Sequence, residues 1–157
     1  MSSLSLHNLL HLLRLKSVST SATLTKNASA AYADVPGLSV SLNPGTYKFR
    51  ANLPSTVASG TGGIKYAFNY TNGLTLTSLQ ATAKGFTASA VAVQNVTSTT
   101  AQADLFTQAA VVIDTVIEGK FVVATAGTIS IQMAQNTSNA SNTVALVDGV
   151  FQVSPIV

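Results

Sequence analysis

Gly37-Leu38-Ser39-Val40-Ser41-Leu42-Asn43-Pro44-Gly45-Thr46-Tyr47-Lys48-Phe49-Arg50-Ala51-Asn52-Leu53 places apolar and polar side chains in strict alternation on both sides of an Asn-Pro-Gly turn. A period of two puts Leu38, Val40 and Leu42, then Tyr47, Phe49, Ala51 and Leu53, on one face of each of two strands. The same period recurs in Ile64, Tyr66, Phe68 and Tyr70, and in Ile129, Ile131 and Met133 within Thr128–Gln135. Further strands are predicted over Phe86–Val96, Ala109–Glu118, Lys120–Ala124 and Thr143–Val153. Asn72-Gly73, before Leu74-Thr75-Leu76, is a strong hairpin signal. Helix and strand signals mix in Ala101–Ala110. The total is about eight strands with Gly, Pro and Asn at the breaks, which predicts an all-β sandwich or barrel. Tyr47, Phe49, Tyr66, Phe68, Tyr70, Phe86, Phe106, Phe121 and Phe151 are spaced to fill its core.

The chain changes character upstream. Leu6, Leu9, Leu10 and Leu13 fall at i, i+3, i+4 and i+7 and form one stripe of a short amphipathic helix, predicted over residues 4–16 with Ser5 as cap. Such a helix is marginal alone in water, so these four leucines are the candidate partner-binding residues. Residues 17–35 are rich in Ser, Thr and Ala and read as an extended arm, with one strand near Ser21–Thr25. The expected organisation is therefore a helix and arm over 1–35 and a β-domain over 36–157. His7, Asn8, His11 and Arg14 interrupt the leucines, no positive region precedes them, and the stretch is too short to span a bilayer. It is read as retained in the mature protein, with no membrane contact.

Only 8% of the residues are charged, against roughly 25% in an ordinary soluble domain. Ser, Thr, Asn and Gln carry solubility instead, which suits a surface held against partners. The net charge of +3 comes from scattered residues, so no nucleic-acid-binding face is expected. With no cysteine and two histidines, the supply of catalytic groups is thin, and no catalytic residue, cofactor or metal site is assigned. His7 and His11 stand at i and i+4 but lack further ligands within one chain. Asp114 and Glu118 share a strand face and could pair for glycosidic chemistry, but read better as solvated carboxylates near Lys120. Gly60-Thr61-Gly62-Gly63 reads as a mobile hairpin loop and Asn136–Asn142 as an exposed polar tip. The sequons at Asn27, Asn69, Asn95, Asn136 and Asn139 follow from composition.

Gly37–Phe49 resembles the strand–turn–strand of jelly-roll modules of the C1q/TNF-like class. Ala126-Gly127-Thr128-Ile129-Ser130-Ile131-Gln132-Met133-Ala134-Gln135-Asn136-Thr137-Ser138 resembles the C-terminal half of small tailed-phage virion proteins. The final strand departs from that pattern, with Gly149-Val150-Phe151 where a Ser-Tyr or Ser-Leu pair is usual. The resemblance implies a jelly-roll, a homotrimer and a place on a virion. Its leading expectation is a capsid decoration (cement) protein on the outer shell, in contact with the major capsid protein. Its alternative is a receptor- or glycan-binding tip or adaptor of a tail fibre or spike, using loops 55–63 and 136–142.

Overall fold

A computed structural model describes residues 15–58, 61–87, 89–109 and 111–156. Its strands are β1 (Lys16–Ser19), β2 (Leu24–Lys26), β3 (Ala33–Leu42), β4 (Gly45–Val57), β5 (Ile64–Thr71), β6 (Thr75–Phe86), β7 (Val91–Val96), β8 (Asp104–Gln108), β9 (Asp114–Thr125), β10 (Gly127–Ala134), β11 (Thr143–Ala145) and β12 (Val150–Pro155). They form two antiparallel sheets. The larger runs β1-β12-β4-β9-β6-β7, with β11 and β2 attached at β4, and the smaller runs β3-β10-β5-β8.

The pairing is nested. β1 pairs β12, β2 pairs β11, β3 pairs β10, β4 pairs β9, β5 pairs β8 and β6 pairs β7. The chain is thus one long hairpin, rolled so that β12 also meets β4, β10 meets β5 and β9 meets β6. This is a jelly-roll sandwich: the alternation predicts the sandwich, and the resemblance implies the jelly-roll. Eight strands (β3, β4, β5, β6, β8, β9, β10, β12) make its two layers, and β1, β2, β7 and β11 extend the larger sheet.

Rolling also changes what the turns do. Asn72-Gly73, expected to close a hairpin, instead carries the chain from β5 in one sheet to β6 in the other. Both central residues have positive φ (55° and 82°), as a tight turn of this kind requires, but β5 already has β10 and β8 at its two edges. The connection from β4 to β5, expected as a hairpin loop, likewise joins opposite sheets. Phe86–Val96 is divided between β6 and β7, and Thr143–Val153 between β11 and β12. Conversely, β9 runs unbroken through Gly119, where a side chain would lie 2.1 Å from the Gln80 carbonyl oxygen.

Between the sheets, Phe121 stacks on Phe49 at 5.2 Å and meets Phe68 edge-on at 6.3 Å and Tyr47 at 5.8 Å. Phe151 closes the group against Phe49 and Phe68. Phe106 packs beside the small inward residues of β6; a Cβ on Gly85 would lie 2.0 Å from its ring. Phe86, expected in the core, points outward and is partly exposed because its inward neighbours are Gly85 and Ala83. The described part of the 1–35 arm is tied to the body. The Ser21 N–H donates to the Pro36 carbonyl (3.0 Å), and the Thr20 hydroxyl donates to Val147 C=O and accepts from Gly149 N–H (3.0 Å). The helix expected over 4–16 falls outside the described residues, save that Lys16 opens β1.

Candidate functional site

Three surfaces are built from these elements, and the first is an ordered cluster of loops at one end of the sandwich. Gln135, directly after β10, is fully buried (0% exposed). Its Oε1 accepts from the N–H groups of Ser29 and Asn139 (both 3.0 Å), and its Nε2 donates to the carbonyls of Asn139 (3.0 Å) and Ser141 (2.6 Å). All its principal hydrogen-bonding directions are thereby used, which is what makes burying an amide tolerable. Around it the Asn139 side chain donates to the Thr61 hydroxyl (2.9 Å), and Asn27 donates to Asn142 Oδ1 (2.9 Å) and the Ala140 carbonyl. Backbone bonds Ala28 to Asn139, Ala58 to Asn142 and Thr137 to Gly62 complete the network. Asn136–Asn142 is therefore an exposed loop, as expected, but a braced one, and it brings residues 27–29, 58, 61–62 and 136–142 to one place. The Asn27 and Asn139 amides are committed here, so a glycan on either would break the network.

The second surface lies on the outside of the larger sheet, at the edge strand β7. Val91 (53% exposed), Val93 (57%), Ile113 (53%) and Val111 (46%) are all exposed. The register sets Phe86 opposite Val91, and the Ile113 N–H donates to the Phe86 carbonyl (2.9 Å), so these apolar groups share one corner. On the other side of β7, Gln94 Oε1 accepts from Thr107 N–H of β8 (2.6 Å) and closes the sandwich there.

The third surface is the polar part of the same outer face. Glu118 stands between Lys84 (3.5 Å) and Arg50 (4.0 Å) rather than near Lys120 alone, and its exposed pairs contribute little to stability. Asp114 lies four residues away on β9, about 13 Å at the ordinary strand rise of ~3.3 Å per residue. Paired-carboxylate glycosidic chemistry needs no more than about 9.5 Å, so these two do not form such a site. Burial raises the Asp114 pKa, offset in part by a backbone hydrogen bond from Thr115, and its Oδ1 is buried with no hydrogen-bond partner. A raised carboxyl favours the folded state while protonated, and that advantage is lost as pH rises through the folded pKa. Asp114→Asn is therefore expected to gain stability over the parent at neutral pH, with the difference fading below about pH 4, as read by urea unfolding across that range.

Two of the remaining three acids have local partners. Asp34 accepts from Ser130 (3.1 Å) and Asn69 (3.3 Å), and Asp104 accepts from Thr107 (3.2 Å) and from the Tyr32 hydroxyl. Burial first, then Asp104, raises the Tyr32 pKa, and the Lys65 ammonium sits 4.7 Å from its ring centroid. Nothing in the period-two pattern marks Tyr32, because it precedes the first regular strand of the smaller sheet. Leu6, Leu9, Leu10, Leu13, His7 and His11 lie outside the described residues. Among the described residues no three His, Cys, Asp or Glu side chains group to hold a metal ion, and no helix is long and apolar enough to cross a membrane.

No family model matches the sequence, and no curated protein matches it. Among solved structures the chain is similar to murine APRIL at 7% identity and a TM-score of 0.41, over 90% of this chain and 99% of that one. It is also similar to the tripod of the bacteriophage Tuc2009 baseplate (12% identity, TM-score 0.31, 99% of this chain and 69% of that one). A third likeness is to the VP2 subviral particle of infectious bursal disease virus (11% identity, TM-score 0.20, 91% and 42%). At such identities and scores these likenesses say nothing of what this chain binds.

Proposed function

We propose that this chain is a structural subunit of a virion, a decoration protein that self-associates as a trimer on the outer capsid and stabilises the shell by added contact. The observation that carries the reading is the exposed row of Val91, Val93 and Ile113 beside Phe86 on an edge strand. An apolar patch on a chain this poor in charge is a surface to be covered, and a closed ring covers it without open-ended growth. The scarcity of acids and histidines fits a mechanical role: bound protein stabilises the shell by mass action, with no turnover. The leucines at 6, 9, 10 and 13 would serve as a further anchor on the capsid subunit.

The loop cluster around Gln135 favours a second reading, the tip or adaptor of a tail fibre or spike. Rigid loops gathered at one end of a sandwich are a common way to present a contact surface. One experiment separates the two. Purified protein is sedimented alone, with phage heads lacking it, and with host cells. The decoration reading expects a trimer that co-sediments with heads, and Val91→Lys/Val93→Lys that stays folded but runs as a monomer. Binding to cells and not to heads would establish the tip instead. A monomeric parent, or a trimer unaffected by the two lysines, would overturn the role given to this row.

A further inference from the structure

The register of the larger sheet places Lys48 of β4 directly opposite Lys120 of β9. Like charges directly opposed on a strand pair are unfavourable, and nothing in the backbone requires them here. The neighbouring carboxylate does not relieve them, because Glu118 is taken by Lys84 and Arg50. Lys48, Arg50, Lys84 and Lys120 together bring half of the chain's eight basic residues to one face. Beside Lys48 and Arg50 is a shallow depression of about 140 Å³, also lined by Gln152, Ser154 and Leu15. The depression itself is lined mainly by apolar surface, Phe49 included, and Lys48 and Arg50 supply the positive charge beside it that suits a carboxylate.

We propose that this face receives carboxylate side chains of an acidic partner protein. The inference rests on the reading that the chain docks on a larger assembly, and it names the chemistry of that contact. The chain's own acids are a poor match. Residues 1–14, which lead into Leu15 at the rim of the depression, contain no Asp or Glu and add Arg14. In a second copy Asp34 and Asp104 are engaged with hydroxyl and amide groups of their own subunit, Glu118 pairs with Lys84 and Arg50, and Asp114 is partly buried, which leaves exposed Asp148 in the turn before β12 as a single carboxylate against a face of four cations. The contact is thus made by Lys48, Arg50 and Lys120, which take the partner's carboxylates. Steering by such a face acts mainly on association rate and register, and weakens with salt.

The test needs no particle, so its failure is distinct from failure of the virion reading. Isotope-labelled full-length protein is titrated with poly-L-glutamate and, separately, with a heparin fragment, following backbone amides by NMR. The expected result is saturable shifts at Lys48–Arg50, Lys120 and Gln152–Ser154 with the polypeptide. Lys48→Gln/Lys120→Gln should weaken that binding about tenfold, while Lys26→Gln/Lys65→Gln, the same change in net charge, leaves it within about twofold. The first pair should also melt no lower than the parent, since it removes a repulsion. Shifts centred elsewhere, equal losses in both double variants, or a lower melting temperature for Lys48→Gln/Lys120→Gln would overturn the proposal. Heparin saturating the same amides at lower concentration than poly-L-glutamate would assign the face to a sulfated glycan and overturn it as well.

Discussion

Gln135→Leu is expected to lower the midpoint of thermal unfolding by roughly 10–15 °C, the largest effect of any single change at the loop end. The leucine fills most of the volume but returns none of the four hydrogen bonds. Two N–H groups, of Ser29 and Asn139, and the Ser141 carbonyl lose their partner, while the Asn139 carbonyl keeps only the Ala28 N–H. Each net hydrogen bond is worth about 1 kcal/mol, and each group left dry costs about 1–3 kcal/mol more, so a loss of about 3–5 kcal/mol follows once water reaches some of them. Hydrogen exchange should locate the damage, with the Ala28, Ala58 and Thr137 amides losing protection before those of β4 or β9. Gln135→Glu provides a check on the sign. A carboxylate would face the Asn139 and Ser141 carbonyls, so its pKa is raised when folded, and the variant should be most stable in acid and weaken as pH rises. Equal exchange at all amides in Gln135→Leu would show that the residue does not organise this end.

Phe121→Ala should cost about 3–5 kcal/mol, the range for deleting a buried aromatic ring, and leave the fold close to its limit of stability. Phe121 is fully buried and is the ring that Phe49, Phe68 and Tyr47 all meet. Those neighbours belong to β4 and β5, in different sheets, so they cannot move together to fill the space. Phe121→Leu keeps most of the volume and should lose only about 1–1.5 kcal/mol. Urea unfolding of the two variants measures both values. Near-equal losses would mean that the ring's contacts, and not its volume, hold the layers together.

How far the chain itself announces this structure depends on the residue. Leu38, Val40, Leu42, Phe49, Leu53, Ile129 and Ile131 are large and alternate with polar groups, so β3, β4 and β10 are legible. β6 is not: its inward residues Leu79, Ala81, Ala83 and Gly85 shrink because Phe106 fills the space opposite, and the apolar signal shrinks with them. Partner choice is also hidden, since a tight turn looks the same whether it closes a hairpin or changes sheets, as at Asn72-Gly73. Gln135 gives no local sign that it is buried, because its four partners come from segments far apart in the chain or from a loop that seems merely polar. The Lys48–Lys120 opposition exists only once register is known, for the two residues are otherwise unrelated.

Nested pairing also sets the order in which a ribosome could finish the molecule. Because β1 pairs β12, it must wait for a strand made more than a hundred residues later, and β2, β3 and β4 wait in turn for β11, β10 and β9. Among the described residues the β6–β7 hairpin is the only pair whose two strands are consecutive, so ordered structure can spread outward from it as later strands emerge. Leu15 is thus made long before β12, yet the depression it lines with Gln152 and Ser154 is completed only when β12 emerges. Docking there would then be open only to a chain translated through β12.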